Sequence, residues 1–332
     1  MKNIYVVIDE YLDRGESGVL ATIVKRTGAT PQGAGAKMFI GADGRMFGTV
    51  GGGCLEAEIW QNSRKILKTK EADVFRYVLD GKNVEDDGMI CGGNIDVLLE
   101  PVDEKYRDLY RQISGFKAQG KKAVTITSYG ARGFTKTLCT SEDELIGDLT
   151  GHEKDIAAPV FHEKKPTVLD NRVVEPIVSS STLYLYGAGH VSQFICRLAK
   201  TMDFAVTVFD DRVEFANRER FPEADNVIVD DFGNALKYAD DEDNIYAAVV
   251  TRGHKHDALV LEQILTRPHR YIGMIGSKRK IRIIFDYLET KGFGESLLQS
   301  IYAPIGVDIN AETPQEIALS IVAEIVKVRG GK

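Results

Sequence analysis

The sequence predicts an α/β fold in which an N-terminal α/β domain is followed by a Rossmann-like domain with a doubly wound parallel sheet. From residue 182 onward, short apolar runs alternate with amphipathic segments of helical period, which is the pattern of consecutive βαβ units. The first of these runs ends in a glycine turn. The chain of 332 residues is long enough for roughly two domains of about 150 residues each.

The N-terminal domain is predicted to contain strands separated by glycine-rich turns, at 19–25, 37–40, 74–79 and 94–102, with a hairpin of 121–128 and 134–140. Leu55, Ile59 and Ile66 recur at helical spacing, and 106–119 is also predicted to be helical. Residues 141–180 are polar and contain three prolines, so we expect an irregular segment there. The predicted domains are therefore 1–178 and 179–332.

Five parallel strands are predicted in the C-terminal domain, at 182–186, 205–210, 226–229, 245–251 and 271–275. The helix after the first strand carries an apolar stripe suited to packing on a sheet. The last helix is predicted to begin after Thr313, with Pro314 at its first position and Glu316 closing a capping box.

The turn after the first parallel strand has the glycine spacing of a Rossmann nucleotide-binding turn. Gly187 permits a tight turn, Gly189 allows backbone N–H groups to approach a phosphate, and His190 opens the following helix. Asp210 lies at the tip of the next strand, where such folds bind a ribose. Because Ser192 replaces the third glycine of the motif, the pattern favours the fold more strongly than it favours a bound dinucleotide.

Two loops that follow later strands are basic, although the net charge of the chain is −7. Loops after the strands of an open α/β sheet share one edge, so these residues can face a single crevice. Cations at the start of a helix are unfavourable by about 0.3–1 kcal/mol each unless an anion compensates them. We therefore expect an anionic ligand, with the alternative that the cations are solvated or paired with Asp residues. The candidate ligand-binding residues are Arg252, His254, Ser277, Lys278 and Arg279.

A second candidate site lies in the N-terminal domain, where three glycines precede a predicted helix. Gly51, Gly52 and Gly53 let backbone donors converge, and Cys54 and Glu56 follow in the first helical turn. A cysteine at the start of a helix can act as a thiolate nucleophile or ligand.

A second cysteine has a similar setting, because Cys91 is followed directly by Gly92 and Gly93. Together with the first glycine-flanked cysteine, it is a candidate for holding a sulfur-rich or metal-bearing ligand. The alternative is that each is a small buried apolar residue. Cys139, in a predicted strand, and Cys196, in a predicted helix, are expected to be structural.

Charge and composition argue against several classes of protein. A net charge of −7 disfavours a general nucleic-acid surface. No apolar run approaches the roughly 18 residues that span a bilayer, and the N-terminus lacks a long apolar signal region. The four cysteines form no CxxC pair and are typical of reduced thiols. We expect a cytoplasmic protein that binds neither nucleic acid nor a membrane.

These motifs jointly resemble the xanthine dehydrogenase accessory protein family, which is XdhC-like and includes carbon monoxide dehydrogenase maturation factors. In the N-terminal domain, the resemblance lies in residues 27–38, 48–56 and 91–93. In the C-terminal domain, it lies in residues 187–192, 210–212, 251–257, 273–280 and 304–318.

The resemblance implies a protein that binds a molybdopterin-type molybdenum cofactor and delivers it to a molybdenum hydroxylase such as xanthine dehydrogenase. It also implies that the protein assists a cysteine desulfurase in replacing an oxo ligand of the metal by sulfide. Cys54 and Cys91 are then candidate molybdenum contacts. An anionic, phosphate-bearing and sulfur-rich cofactor agrees with the glycine turns and cysteines. A homodimer is expected from the general frequency of such assemblies.

Two other functions stay open. An oxidoreductase could bind NAD(P) or a flavin at the Gly187 turn, and Asp210 would then favour NAD, because a carboxylate repels the 2′-phosphate of NADP. A purely structural bridge between a desulfurase and its target enzyme is the third interpretation.

Overall fold

The computed structural model describes residues 3–79, 92–119, 121–130, 133–141, 144–177, 181–239 and 245–331. The chain divides into two compact units, Met1–Ser179 and Ser180–Lys332. Each unit buries apolar clusters of its own.

The first sheet of the N-terminal unit consists of β1 (Gly18–Thr27), β2 (Lys37–Gly41), β3 (Met46–Gly48), β4 (Asp73–Leu79) and β5 (Gly93–Val102). Its strands are antiparallel and ordered β3-β2-β1-β5-β4. The helices beside it are α1 (Ile4–Asp13), α2 (Gly53–Thr69) and α3 (Arg107–Gln119). Side chains alternate along β1, so that Val19 and Ala21 pack with α2 whereas Leu20 packs with α1 and α3. The four single strands and two helices expected here are confirmed, whereas α1 and β3 were not predicted.

A second antiparallel sheet follows, with β6 (Ala123–Ser128), β7 (Thr135–Thr140), β8 (Leu145–Gly147), β9 (Thr167–Leu169) and β10 (Arg172–Ile177) in the order β8-β7-β6-β10-β9. The short helix α4 (Glu153–Ala157) lies between β8 and β9 in the chain. The expectation that 141–180 is irregular is therefore wrong. The edge strands are too short to show an alternating pattern, and Pro176 lies where β10 pairs with β6 but not with β9.

A buried ion pair joins the two sheets of the N-terminal unit. Glu100 on β5 and Lys136 on β7 are 1% and 3% exposed, and the Lys136 Nζ lies 2.7 Å from the Glu100 Oε1. Thr127 and Tyr110 donate their hydroxyl groups to the Glu100 carboxylate at 3.1 and 2.9 Å. Both charges are therefore compensated inside the unit, which is the condition under which buried charges are tolerated.

The C-terminal unit contains β11 (Thr182–Tyr186), β12 (Ala205–Asp210), β13 (Asn226–Val229), β14 (Tyr246–Val249) and β15 (Tyr271–Met274). All neighbouring strands are parallel, in the order β13-β12-β11-β14-β15. Its helices are α5 (His190–Thr201), α6 (His254–Ile264), α7 (Lys278–Thr290), α8 (Glu295–Gln299) and α9 (Pro314–Arg329). One apolar cluster contains residues of α5 and α9, and the other contains residues of α6 and α7. The predicted α/β fold with a doubly wound parallel sheet is confirmed.

The sequence also located the start of α9 correctly. The Thr313 side chain accepts a hydrogen bond from the Glu316 backbone N–H at 3.3 Å, and the Glu316 carboxylate accepts one from the Thr313 N–H at 2.9 Å. This reciprocal arrangement is the predicted capping box, with Pro314 at the first helical position. Within the described parts of the chain, we find no helix with the length and apolarity that a bilayer crossing requires.

Candidate functional site

The glycine–cysteine turn, residues 49–54, leads from β3 into α2. Gly51, Gly52 and Gly53 have φ angles of +145°, +79° and +59°, a backbone region that other residues rarely adopt. Cys54 follows as the second residue of α2 and is exposed. The three glycines therefore bring the chain into the helix with the cysteine on the surface.

Glu56 holds this turn from within α2. Its Oε1 accepts hydrogen bonds from the Thr49 hydroxyl at 2.6 Å and from the N–H groups of Val50 and Gly52 at 3.2 and 3.0 Å. Partial burial raises the pKa of Glu56, but the hydrogen bonds from Thr49 and Gly52 outweigh it and leave the pKa below its usual range. The sequence predicted a ligand contact for Glu56; in the structure its carboxylate accepts hydrogen bonds from the preceding glycine–cysteine turn.

The second glycine-flanked cysteine, Cys91, lies outside the described residues. Gly92 has a φ of +64°, and Gly93 is the first residue of β5. A Cβ atom on Gly93 would lie 2.3 Å from the Ala29 carbonyl oxygen, and one on Gly28 would lie 2.9 Å from that of Gly92. Close packing of two backbone segments explains Gly28 and Gly93, whereas the sequence suggested ligand binding for Gly92 and Gly93.

The other two cysteines are buried, as predicted. Cys139 and Cys196 are 2% and 0% exposed. Burial raises the pKa of the Cys139 thiol to about 11 and that of the Cys196 thiol to about 12, so both are protonated at neutral pH.

In the C-terminal unit, the turn after β11 has the close backbone approach expected of a Rossmann turn. Gly187 has a φ of +111°, and a Cβ atom there would lie 2.4 Å from the Val250 carbonyl oxygen. The Ser192 hydroxyl donates to the Gly187 carbonyl at 2.5 Å, so the serine that replaces the third glycine fastens α5 to the turn. Gly189 is the N-cap of α5, and His190 is its first, exposed residue.

Asp210 does not project from the sheet edge as the sequence suggested. It is 1% exposed, and its carboxylate accepts hydrogen bonds from the Ala188 N–H at 2.8 Å and from the Arg212 Nε at 2.8 Å. A carboxylate that binds a ribose must face the ligand. The inward orientation of Asp210 argues against the predicted ribose contact. Its carboxylate also occupies one of the backbone N–H donors of the turn, that of Ala188.

The basic pocket is a depression of about 380 Å³ at the N-termini of α6 and α7, which follow the neighbouring strands β14 and β15. Four of the five candidate residues predicted in the basic loops line it; Lys278 does not. The lining residues are Arg252, Gly253, His254, Ser277, Arg279, Lys280 and Ile283. Gly253 and Ser277 are the N-caps of the two helices, so the positive ends of both helix dipoles lie at this pocket.

Two of the pocket cations are paired with carboxylates, in agreement with the alternative interpretation. The Lys280 Nζ lies 2.5 Å from Asp257, which is fully buried and also accepts a hydrogen bond from the Thr251 hydroxyl at 2.7 Å. Burial raises the pKa of Asp257, and Lys280 and Thr251 offset only part of this effect. Arg252 forms a two-pronged ion pair with Asp211 that lowers the pKa of that carboxyl to about 2.

Arg279 differs from these two cations. It is exposed in the first turn of α7, a turn without acidic residues. Across the described ranges, we find no carboxylate within ion-pair distance of its guanidinium. An anion in the basic pocket would meet this charge and the two helix N-termini together.

The structure reveals further residues that the sequence analysis did not select. Thr49 stabilises the glycine–cysteine turn, and Asp211 and Asp257 neutralise pocket cations. A polar residue two positions before a run of three glycines was an available signal for Thr49. The pairing of Arg252 with Asp211 spans 41 positions of the chain, and only the strand order of the sheet brings the two together. Within the described residues, no group of three or more His, Cys, Asp and Glu side chains could hold a metal ion.

Together, the fold and these features define a two-unit protein whose C-terminal unit is a Rossmann domain. Sequence models of known families match both units: the XdhC and CoxI family model matches residues 11–78, and the XdhC Rossmann domain model matches residues 183–325. The chain belongs to the XdhC family.

Curated relatives extend over nearly the whole chain. A protein of Bacillus subtilis (strain 168) that is named as a probable xanthine dehydrogenase subunit is 27% identical over 99% of this chain and 98% of its own length. The molybdenum cofactor insertion chaperone PaoD of Escherichia coli (strain K12) is 23% identical over 96% of this chain and 86% of its own length. An uncharacterised E. coli protein, YqeB, is 25% identical over 93% of this chain, which spans only 43% of YqeB.

A crystal structure described as a xanthine dehydrogenase from Bacillus halodurans superposes with a TM-score of 0.84. The two proteins share 24% sequence identity, and the match covers 99% of this chain and 96% of the other. This likeness shows that the two proteins share a fold.

Proposed function

We propose that this protein is an accessory factor that carries molybdenum cofactor and supports its insertion into a xanthine dehydrogenase-type molybdenum hydroxylase. The observation that carries the proposal is the exposed Cys54 on a turn of three left-handed glycines, in a chain related to a cofactor insertion chaperone. Membership of the XdhC family supports the same role.

The glycine–cysteine turn suits the metal end of the cofactor. Thiolates are soft ligands that match a metal already bound by sulfur. Cys54 lies at the N-terminus of α2, a helix of 17 residues, where the dipole favours negative charge. Backbone N–H groups of a glycine-rich turn can approach an anionic group closely. The role of this chain is thus to hold the cofactor through Cys54, and the cofactor itself supplies the redox chemistry of the target enzyme.

The basic pocket suits a phosphate-bearing anion. Arg279 supplies a charge without a carboxylate partner in the described residues, and the backbone at the starts of α6 and α7 supplies N–H donors. We place the anion here rather than on the Gly187 turn, because Asp210 already occupies the Ala188 N–H of that turn. His254 and Ser277 line the same pocket and are the next candidate contacts.

Sulfuration of the cofactor, a cysteine desulfurase as sulfur donor, and a homodimeric state are finer parts of the proposal. The resemblance of the motifs to the family is what supports the first two. The third follows from the general frequency of closed symmetric assemblies.

Reconstitution of an enzyme tests the function directly. Cofactor-free xanthine dehydrogenase-type hydroxylase is mixed with this protein purified from a host that synthesises molybdenum cofactor. We expect hydroxylase activity to appear faster than with an equal amount of cofactor released from heat-denatured protein, because a carrier protects and presents its cargo. Equal rates in the two mixtures would contradict the proposed role in insertion.

The basic pocket makes a separate prediction for Arg279→Ala. We expect the affinity for inorganic pyrophosphate to fall about tenfold, because a charge-assisted hydrogen bond contributes about 1.5 kcal/mol. Isothermal titration calorimetry measures this change. Arg282→Ala is the matched control, since Arg282 is an exposed arginine of the same helix outside the pocket lining. Loss of pyrophosphate binding in both arginine variants alike would show that net charge rather than the pocket is responsible.

Titration with NADH addresses the oxidoreductase alternative, which the Rossmann topology and the Gly187 turn favour. Saturable micromolar binding of NADH, with substrate-dependent oxidation, would support that function.

A further inference from the structure

We propose that Glu56 is a positioning residue whose carboxylate holds the glycine–cysteine turn in the one conformation that presents Cys54 to its ligand. The inference rests on the proposed function for the identity of that ligand. The hydrogen bonds that define the clamp are independent of it.

One carboxylate oxygen organises four consecutive residues of the turn. The Glu56 Oε1 accepts from the Thr49 hydroxyl and from the N–H groups of Val50 and Gly52. The Thr49 oxygen in turn accepts from the Gly51 N–H at 3.2 Å. Each polar group of this segment that faces Glu56 is therefore satisfied by a side chain rather than by solvent.

The turn needs such a clamp because of its composition. Glycine loses more conformational freedom on folding than any other residue, and three successive glycines with positive φ would otherwise sample many arrangements. Cys54 lies between the clamped segment and Glu56 itself. Because the backbone is held on both sides of Cys54, the position from which its thiol projects is fixed. A ligand then binds without first having to order the turn.

Burial and chemistry agree with a positioning role. Glu56 is half-buried, whereas Cys54 beside it is exposed. The three hydrogen bonds commit Oε1 of Glu56 to the turn rather than to a ligand. Its place in the first turn of α2 also favours a negative charge.

The test compares Glu56→Ala with Glu56→Gln, because the Gln amide oxygen can accept the same hydrogen bonds without the charge. In Glu56→Ala, we expect amide hydrogen exchange at Val50 and Gly52 to accelerate at least about tenfold, since each N–H group loses its hydrogen bond to a charged carboxylate. Retention of molybdenum cofactor should fall at least about fivefold. Glu56→Gln should restore both measurements to within about twofold of the wild type.

Glu58→Ala is the control, because Glu58 is an exposed glutamate two positions further along α2. Fluorescence of Trp60, the single tryptophan of the chain, checks that the unit is folded in every variant. Unchanged exchange at Val50 and Gly52 in Glu56→Ala would overturn the clamp. Faster exchange with undiminished cofactor retention would overturn its positioning role. A wild-type protein without cofactor would refute the proposed function and leave the exchange result to decide the clamp.

Discussion

Replacement of Lys136 by Met is expected to lower the free energy of unfolding of the N-terminal unit by about 3–5 kcal/mol. The substitution removes the cation that faces the Glu100 carboxylate at 2.7 Å, and Glu100 is 1% exposed. Thr127 and Tyr110 still donate to that carboxylate, but hydroxyl groups do not neutralise its charge. The unit then has to bury an uncompensated anion or open to hydrate it.

Denaturant unfolding followed by Trp60 fluorescence measures this effect in the intact chain. Trp60 lies on α2, so its signal reports the N-terminal unit. The double variant Glu100→Leu, Lys136→Met should recover most of the lost stability, because it removes both charges together.

The matched control is Lys70→Met, which breaks the partly exposed ion pair of Lys70 with Asp103 at 3.8 Å. A change below about 1 kcal/mol is expected there. If Lys136→Met were no more destabilising than Lys70→Met, the buried pair would not stabilise the junction of the two sheets.

The second large effect is expected for Cys54→Ala. We predict that this variant, purified from a host that synthesises molybdenum cofactor, retains less than about a tenth of the wild-type molybdenum. Loss of a bond to a soft thiolate costs more than the roughly 1.4 kcal/mol that corresponds to a tenfold change in affinity. Cys54→Ser should behave in the same way, because a neutral hydroxyl is a poor ligand for a sulfur-bound metal.

Cys196→Ala is the control for this experiment. It makes the same chemical change at a thiol that is fully buried on α5, and it should leave the molybdenum content unchanged. A wild-type molybdenum content in Cys54→Ala would show that the cysteine of the glycine–cysteine turn does not hold the metal end of the cofactor.

Local sequence signals predicted most of the fold. In the C-terminal unit, the strands at 182–186, 205–210 and 226–229 were predicted with their observed limits, because buried parallel strands read as apolar runs. The capping box of α9 could be predicted because its three signals, Thr313, Pro314 and Glu316, lie within four residues. In the second sheet of the N-terminal unit, β6 and β7 were predicted as a hairpin, whereas β8, β9 and β10 were missed. The strands β8 and β9 have only three residues each and carry no measurable period.

The candidate sites were predicted less completely, because side-chain direction depends on the folded neighbourhood. Motif spacing placed Asp210 at the ribose position, but the Ala188 N–H and the Arg212 side chain draw it inward. Likewise, the sequence predicted cations at the start of a helix, and only the structure shows that Asp257 compensates the charge of Lys280. The sequence left open whether Cys54 is a ligand or a small buried residue, and the structure shows it exposed beside a turn that Glu56 holds.

The most direct measurement is the pterin and molybdenum content of the wild-type protein purified from two otherwise identical hosts, one of which cannot synthesise molybdenum cofactor. The proposed role predicts a molybdopterin-type pterin and molybdenum in near-equal amounts in protein from the competent host, and neither in protein from the deficient host. Protein from the competent host that contains no pterin would contradict the proposal that this chain carries the cofactor.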